Sequence, residues 1–404
     1  MIIKKYSFSK IFFWAGIISL SIIYMILWAK MIRDPAERTG TDFIIFWTAG
    51  RISQKYDVSQ VYNIELQTET EANIIGLPLK ANEILPFNHP PHSLPFLIIL
   101  VGKNYIKSFS LWTLLNIAFY IYSFFLLMKG NKTKPHDLRQ NLKIAISLLL
   151  FFPIFTSILL GQDTAILFFG VTLLIFGTKR NDNLLIALGL TLASIRPHIA
   201  IVLATVFFFH HKKTLKYFMV VFTIFSLLSF FALGNRGTQE FVNILLISAT
   251  QKGYGIKPDA MMNLSGLLTR SFPALKENII RFINWGAYGI STIFLLISFK
   301  REKKFETTHI TQAIIFSLFF APHLNYHDLS LLAIPVYLLL TSKNFPFTDK
   351  YRPLIALTLS LSLIFTQPIP FLYYSLPYLL MLLLIVFTQK ESKTHKNKDS
   401  FSNA

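Results

Sequence analysis

Ionisable and amide side chains interrupt an otherwise apolar chain at six places. They are Asp42, His89 with His92, Gln162 with Asp163, Arg196 with His198, Asn263 with Arg270, and His323 with His327 and Asp328. Carboxylates and imidazoles can transfer protons, and guanidinium groups bind the oxygens of phosphates. Because ionisable groups at membrane depth are costly, these positions favour a functional site. Each one alone could also be a structural or snorkelling residue.

The composition predicts an all-α polytopic membrane protein. Of the 404 residues, 53% are hydrophobic and only 15% are charged, against about 25% charged in soluble domains. Many apolar runs approach the roughly 20 residues that cross a bilayer. The first, Ile11 to Ala29, is long for a signal peptide and predicts a retained anchor. We expect one domain over residues 1–388 with about twelve transmembrane helices, followed by a basic disordered tail at 389–404.

The basic residues indicate how the chain is oriented. Lys and Arg number 39 against 20 Asp and Glu, a net charge of +19. The cations gather in short loops, so membrane topology explains them better than a nucleic-acid partner does. The loops predicted to be cytoplasmic, together with both termini, are 129–143, 179–183, 210–216 and 300–309. The long loops 30–93 and 234–280 are predicted to lie outside. The absence of cysteine excludes disulfides and thiolate metal sites.

This orientation sends all six polar positions to the outer face. Residues 184–209 predict two short helices that meet there, because Pro197 interrupts the helical hydrogen bonds. Residues 93–101 are too short to cross the membrane alone and predict a half-membrane segment. Convergence of the six positions on one face favours a single site over six unrelated structural residues.

Residues 41–56 predict a helix with Asp42 at its start. Phe43, Phe46, Trp47, Gly50 and Ile52 fall roughly on one helical face. That pattern is typical of a helix at the membrane surface with its aromatic side in the interface. Interfacial helices of this kind are expected within 31–93 and 234–280. Thr41 or Asp42 could equally be an ordinary N-cap.

Several short motifs, in their order along the chain, carry a family resemblance. They are Asp42-Phe43 to Ala49-Gly50-Arg51, Val61-Tyr62, Pro90-Pro91, Trp112 with Asn116, Gly161-Gln162, Arg196-Pro197, Asn263-Leu-Ser, and Ala321-Pro322-His323 with His327. Over residues 10–340 the chain resembles glycosyltransferase family 87, membrane mannosyltransferases of the GT-C fold that use polyprenol-phosphate-linked sugars. It departs from that pattern at Asp163, where a neutral residue is expected, and at Arg196, where lysine is usual.

The resemblance implies transfer of a sugar, with mannose the first candidate, from a polyprenyl-phosphate donor to a hydroxyl acceptor. Asp42 matches the acidic position of the family and would be the catalytic base. The residues expected to bind the donor phosphate are Arg196, His198, Arg270, His323 and His327. Those expected to bind substrate elsewhere are Arg51, His89, Gln162, Asp163 and Asn263. Phosphate is a good leaving group, so the reaction requires neither a general acid nor a dedicated metal. No cofactor is implied.

A metal site is not predicted. The spacing of His323 and His327 lets one helical face present both rings, but no acidic pair lies close in sequence. The sequence also has no glycine-rich loop of the P-loop type, which disfavours a nucleotide site.

Two other functions remain open from the sequence. One is a transporter or lipid flippase, although the chain shows no internal repeat of the kind common in transporters. The other is an O-antigen polymerase or ligase. For the glycosyltransferase we expect a multi-pass protein of the inner or plasma membrane. Its acceptor would be an envelope glycan or lipid on the extracytoplasmic face, and its other partners the membrane lipids.

Overall fold

The computed structural model describes residues 8–130, 135–209, 211–249, 257–301, 307–343 and 345–402. Within these ranges the chain forms helices joined by turns, with no strand. The all-α prediction is therefore confirmed. Lys4 and Lys5, which support the cytoplasmic N-terminus, lie outside the described residues.

The helices follow one another in chain order. The first nine are α1 (Phe8–Arg33), α2 (Pro35–Thr39), α3 (Phe43–Lys55), α4 (Ile64–Ile75), α5 (Leu94–Leu100), α6 (Tyr105–Gly130), α7 (Pro135–Leu149), α8 (Phe152–Leu160) and α9 (Thr164–Arg180). The others are α10 (Asn183–Ala193), α11 (Pro197–Thr205), α12 (Lys212–Ala249), α13 (Leu264–Ser271), α14 (Glu277–Arg301), α15 (Thr307–Phe320), α16 (Ala333–Thr341), α17 (Arg352–Phe365) and α18 (Pro370–Ser402). Short 3₁₀ helices lie at Val58–Gln60, Pro91–Ser93, Pro258–Ala260 and Tyr326–Leu332.

Several helices are long and apolar enough to cross a membrane. Among the described residues there are 5 such spans, or 6 if α7 and α8, bent by 50°, count as one broken span. The single spans are Ser9–Arg33, Tyr105–Gly130, Lys212–Ser248, Glu277–Arg301 and Pro370–Gln389. The chain is thus a multi-pass membrane protein. The predicted number of about twelve crossings also counts shorter apolar helices such as α10, α15 and α17. These helices are too short to be identified as spans by length, so that number stays a prediction.

Helix α3 is a core helix, so its aromatic side packs against protein, and the prediction that this side lies in the membrane interface is wrong. Its buried residues lie on all sides and run from Phe43 to Gly50, followed by Ile52. Ile44 and Ile45 fill the side opposite Phe46 and Trp47, so the helix has no polar face over its first two turns. Phe43 stacks on Phe109 of α6 with ring centroids 4.7 Å apart.

Two predicted non-helical regions contain helix. Apolar segment 217–233 ends at a kink at Gly234, where φ is +64° and ψ is −174°, and the backbone is not helical there. A second helical part of α12 follows to Ala249, at the start of the predicted loop 234–280. Helix α18 extends to Ser402, through residues for which the composition predicts a disordered tail. Lysine, glutamate and glutamine are good helix formers, which is consistent with that extension.

The polar positions meet because several helices begin at the same end of the molecule. Asp42 immediately precedes α3, Asp163 precedes α9, and Arg196 precedes α11. The side chains of these three residues are linked in one network, described below. The amino ends of helices carry partial positive charge, so this end of the bundle favours anionic groups.

Helix α4 holds the segment that leads to His89. The Gln67 amide donates to Val61 O (2.8 Å) and accepts from the backbone N–H of Phe87 (2.8 Å). Tyr62, just before α4, donates to His89 O (2.6 Å). These contacts fix residues 87–89 across the face of α4.

The same helix carries a buried carboxyl group with one unsatisfied oxygen. Glu71 is 2% exposed, and within the described chain its Oε1 atom makes no hydrogen bond. Burial raises the pKa of Glu71 from 4.5 to about 8. A raised folded-state pKa means that stability is fully present below the unfolded-state pKa and is lost as pH rises towards 8.

We therefore expect Glu71→Gln to stabilise the protein increasingly as pH rises from 4.5 to 8. At the upper end the melting temperature should exceed that of wild type by at least about 2 °C, since 1 kcal/mol shifts a protein of this size by a few degrees. Thermal unfolding of the two proteins across this pH range measures the difference. Glu69→Gln, at an exposed position of the same helix, is the control. A constant difference at all pH values would show that Glu71 does not titrate in this range.

Candidate functional site

Arg196 lies between two buried aspartates. Its Nη2 atom is 2.9 Å from Asp163 Oδ1, and its Nε atom is 3.7 Å from Asp328 Oδ1. The aspartate side chains are 3% and 4% exposed, and that of Arg196 is 15% exposed. Buried carboxylates are tolerated only when a partner compensates for lost hydration, so Arg196 makes this arrangement possible.

The backbone at each of these positions follows from local sequence. Pro197 is the first residue of α11, where a missing N–H costs nothing, and the chain is non-helical at Arg196. Gly161 ends α8 with φ +69°. A Cβ atom on Gly161 would lie 2.6 Å from Phe43 Cβ, so only glycine lets this turn approach the start of α3. The indole of Trp112 donates to Gly161 O (2.8 Å) and holds the turn there.

Gln162 connects Asp42 to Arg196. Its Nε2 atom donates to Asp42 Oδ2 at 2.5 Å, and its Oε1 atom accepts from Arg196 Nη2 at 3.2 Å. Asp42 makes no capping hydrogen bond to α3. The carboxylate therefore faces the Arg196 network, and the alternative of an ordinary N-cap is wrong for Asp42.

His89 joins the same network. Its Nδ1 atom is 2.9 Å from Asp163 Oδ2 and 3.0 Å from Arg196 Nη1. The imidazole packs against Phe46 of α3, with ring centroids 4.8 Å apart. A proton on Nδ1 would be directed at Asp163, whereas an unprotonated Nδ1 would accept from Arg196.

The segment between α15 and α16 supplies the opposite wall. Asp328 Oδ2 accepts from the backbone N–H of Asn325 (3.0 Å), and its Oδ1 atom is 3.6 Å from His327 Nε2. The Nε2 atom of His323 is 3.4 Å from Asn325 Nδ2. We call Asp42, His89, Gln162, Asp163, Arg196, His327 and Asp328 the Arg196 cluster.

Burial and the guanidinium of Arg196 shift the pKa values of the ionisable groups around the Arg196 cluster. Burial acts to raise the pKa of Asp163, but Arg196 and His89 outweigh it, so the pKa lies below its usual value and the group is ionised. Burial lowers the pKa of His323 to about 4, and Arg196 adds to that effect although Asp328 opposes it. His323 is therefore neutral near pH 7 and can offer one N–H, but no charge.

Of the predicted phosphate-binding residues, His198 lies near the Arg196 cluster and Arg270 does not join it. His198 is in the first turn of α11, within electrostatic range of Arg196 and Asp328. Its Nε2 atom is buried without a hydrogen-bond partner in the described chain. Arg270 is engaged elsewhere. It donates to Asp259 O (2.6 Å), Met261 O (2.8 Å) and the Tyr378 hydroxyl (2.7 Å). These contacts brace the turn before α13.

Two of the predicted substrate-binding residues also have other partners. Arg51 lies in the last turns of α3, at the end away from Asp42, and donates to Gln54 Oε1 (2.6 Å). Asn263 caps α13, accepting from Gly266 N (3.0 Å), and donates to Ala321 O (2.7 Å). Asn263 thus ties α13 to the segment that carries His323, and neither residue joins the Arg196 cluster.

The structure gives places in the site to residues for which the sequence predicts no role. Asp328, one of the polar positions noted in the sequence, is a direct partner of Arg196. Tyr120 of α6 is fully buried, and its hydroxyl donates to Ser157 Oγ (3.0 Å) and lies 3.4 Å from Ser330 Oγ. Nothing in the sequence distinguishes Tyr120 from the other aromatic residues of the chain.

The arrangement can combine proton transfer with anion binding. One oxygen of Asp42 is held by Gln162, which leaves the other oxygen to accept a proton. The Arg196 cluster contains three carboxylates and one guanidinium, partly balanced by the amino ends of α3, α9 and α11. Across the described residues, no group of three or more His, Asp or Glu side chains is placed to hold a metal ion.

Comparison with known proteins identifies the family. The profile of glycosyltransferase family 87 matches residues 87–322, more than half of the chain. The match includes His89, Gln162, Asp163 and Arg196, while Asp42 lies before it. No curated protein matches the sequence. The chain therefore belongs to glycosyltransferase family 87 and is a membrane glycosyltransferase.

Proposed function

We propose that this glycosyltransferase transfers a sugar, with mannose the first candidate, from a polyprenyl-phosphate donor to a hydroxyl group of an envelope glycan or lipid. The observation that carries the proposal is the contact between Asp42 and Gln162 beside Arg196. It joins a carboxylate able to act as a base to the only guanidinium of the Arg196 cluster.

Asp42 is proposed as the catalytic base. It takes the proton of the acceptor hydroxyl as that oxygen bonds to the anomeric carbon of the sugar. The bond from this carbon to the phosphate oxygen breaks, and polyprenyl phosphate leaves. Gln162 donates to one carboxylate oxygen, which fixes the orientation of the other oxygen.

Arg196 is proposed to face the donor phosphate. Arg196 Nη2 donates to Gln162 Oε1 and lies 2.9 Å from Asp163 Oδ1, so a two-point grip on phosphate would require these contacts to exchange. A single contact from Nη1 requires less change. The amino ends of α9 and α11 add favourable electrostatics for an anion, and the unpartnered Nε2 atom of His198 can form a hydrogen bond there. We assign the remaining phosphate contacts to His323 and His327, and contacts with the sugar to His89 and Asp163.

The proposed setting is a GT-C fold of about twelve crossings in the inner or plasma membrane. Both termini lie in the cytoplasm, and the Arg196 cluster faces the extracytoplasmic side. The distribution of basic loops supports this orientation.

The proposal is tested by a transfer assay with purified protein. Polyprenyl-phosphate mannose, glucose and arabinose are supplied with a panel of hydroxyl acceptors, and nucleotide sugars serve as alternative donors. We expect transfer from at least one polyprenyl-phosphate sugar and none from the nucleotide sugars. Transfer from a nucleotide sugar alone would contradict the proposed donor class.

The orientation predicts opposite labelling of two engineered cysteines. Lys80 lies in the long outer loop and Lys300 at the far end of α14, and both are exposed. Because the chain has no cysteine, Lys80→Cys and Lys300→Cys give labelling without background. A membrane-impermeant thiol reagent added to intact cells should label the first variant, and the second only after permeabilisation. The reverse pattern would put the Arg196 cluster on the cytoplasmic side.

A further inference from the structure

A cavity of about 340 Å³ lies at the opposite end of the bundle from the Arg196 cluster. It is bounded by the last turns of α6, α9 and α16, the first turns of α15, and α18. Helix α9 connects the two ends. Lys179, in the wall of the cavity, is roughly 22 Å along this helix from Thr164, at about 1.5 Å per residue. The cavity is therefore separate from the proposed catalytic site.

The polar part of the wall suits a phosphate group. It contains the ammonium groups of Lys179 and Lys343 and the hydroxyls of Thr307, Thr311, Thr341 and Thr388. None of the described residues that line it is acidic. Several hydroxyls now donate to carbonyls of their own helices, for example Thr341 to Tyr337 O (2.8 Å), and can rotate towards a ligand. Ammonium and hydroxyl groups are donors that phosphate oxygens accept.

The rest of the wall suits a lipid. Leu338 and Leu339 of α16 and Leu384 of α18 adjoin the polar groups. Leu384 is 2% exposed, whereas Leu338 and Leu339 are half-buried. Most of the candidate membrane span that carries Leu384, Pro370–Gln389, is not buried within the protein. A molecule whose phosphate meets the lysines can thus rest its apolar part against Leu338 and Leu339.

The stem of Lys179 packs against α6. A Cβ atom on Gly130 would lie 3.2 Å from Lys179 Cδ and 4.0 Å from its Nζ atom, so the lysine stem crosses α6 where there is no side chain. Lys179 is otherwise exposed. Gly130 itself also lines the cavity.

We propose that this cavity binds the phosphate headgroup of an anionic phospholipid in the leaflet opposite the Arg196 cluster. Basic pockets between transmembrane helices recognise anionic headgroups by the same chemistry. A soluble phosphate ester offers the same phosphate without the apolar part, and the test separates the two sources. The proposal does not depend on the identity of the sugar donor.

The test measures lipid binding to the purified protein by native mass spectrometry in detergent. Phosphatidylglycerol and phosphatidylcholine are titrated into wild type and into the double variant Lys179→Gln/Lys343→Gln. We expect wild type to prefer phosphatidylglycerol, and the double variant to lose on the order of tenfold or more in affinity for it, since each lysine near a membrane surface contributes about 1 kcal/mol. Affinity for phosphatidylcholine should stay unchanged.

The matched control is Lys213→Gln/Lys216→Gln, which removes two exposed lysines outside the cavity. It should keep the affinity of wild type for phosphatidylglycerol. An equal loss in both double variants would attribute binding to general surface charge and overturn the proposal. Glycerol 3-phosphate is added as competitor. Displacement of the lipid at comparable concentrations would assign the site to a soluble phosphate ester and overturn the lipid assignment.

Discussion

Asp42→Asn is expected to lower turnover by roughly 10²–10⁴-fold while the protein still folds and inserts, because loss of a general base has effects of that size. The amide oxygen of asparagine can still accept the hydrogen bond from Gln162, so packing at the start of α3 is retained. Turnover is measured as sugar transferred per folded molecule, with donor and acceptor saturating.

The control for this variant is Asp34→Asn. Asp34 caps α2, eight residues earlier in the chain, and asparagine caps a helix equally well. It should keep the turnover of wild type. If Asp42→Asn also transfers sugar at the wild-type rate, Asp42 has no part in the mechanism.

Arg196→Gln is expected to lower kcat/KM by on the order of 10² or more, and also to destabilise the protein. The activity loss follows from removing the positive charge that we propose faces the leaving phosphate. The stability loss, about 3–5 kcal/mol, follows from leaving Asp163 and Asp328 buried without their partner. Arg196→Lys keeps the charge but cannot reach all of the partners, so we expect partial activity.

A second substitution separates the two effects. Asp163→Asn in the Arg196→Gln background removes one of the two buried carboxylates that lose the guanidinium. The double variant should melt at a higher temperature than Arg196→Gln alone, and its kcat/KM per folded molecule should stay as low as that of Arg196→Gln. Recovery of activity together with stability would mean that Arg196 acts only by balancing buried charge, and it would remove the phosphate role.

Much of the architecture follows from the sequence, because it depends on local properties. Long apolar runs predict the spanning helices, and Pro197 predicts the break that exposes Arg196. The polar positions lie at the ends of apolar segments, and for this reason several of them meet. The aromatic face of α3 does not predict that the whole helix is buried. Ile44 and Ile45, on the opposite face, are buried only because other helices pack against them, and the sequence does not identify those helices.

The partners of each polar side chain are the part that the sequence does not determine. Gln162 bonds to a residue 120 positions away, and Arg196 to one more than 100 positions away. From the sequence alone, Arg270 and Arg196 are equally good candidates to bind phosphate. In the structure, however, the guanidinium of Arg270 already donates hydrogen bonds to two backbone carbonyls and to the hydroxyl of Tyr378. Asp328 was noted beside His327, but only its 3.7 Å approach to Arg196 shows that it belongs to the cluster.

The most direct test of the account is whether the protein cleaves a polyprenyl-phosphate sugar or moves it. Purified protein in liposomes is given a polyprenyl-phosphate sugar with an acceptor, and free polyprenyl phosphate and glycosylated acceptor are measured together. We predict one equivalent of polyprenyl phosphate released per sugar transferred, with release dependent on acceptor. Movement of intact donor between leaflets with no polyprenyl phosphate released would contradict the account and favour a lipid transporter.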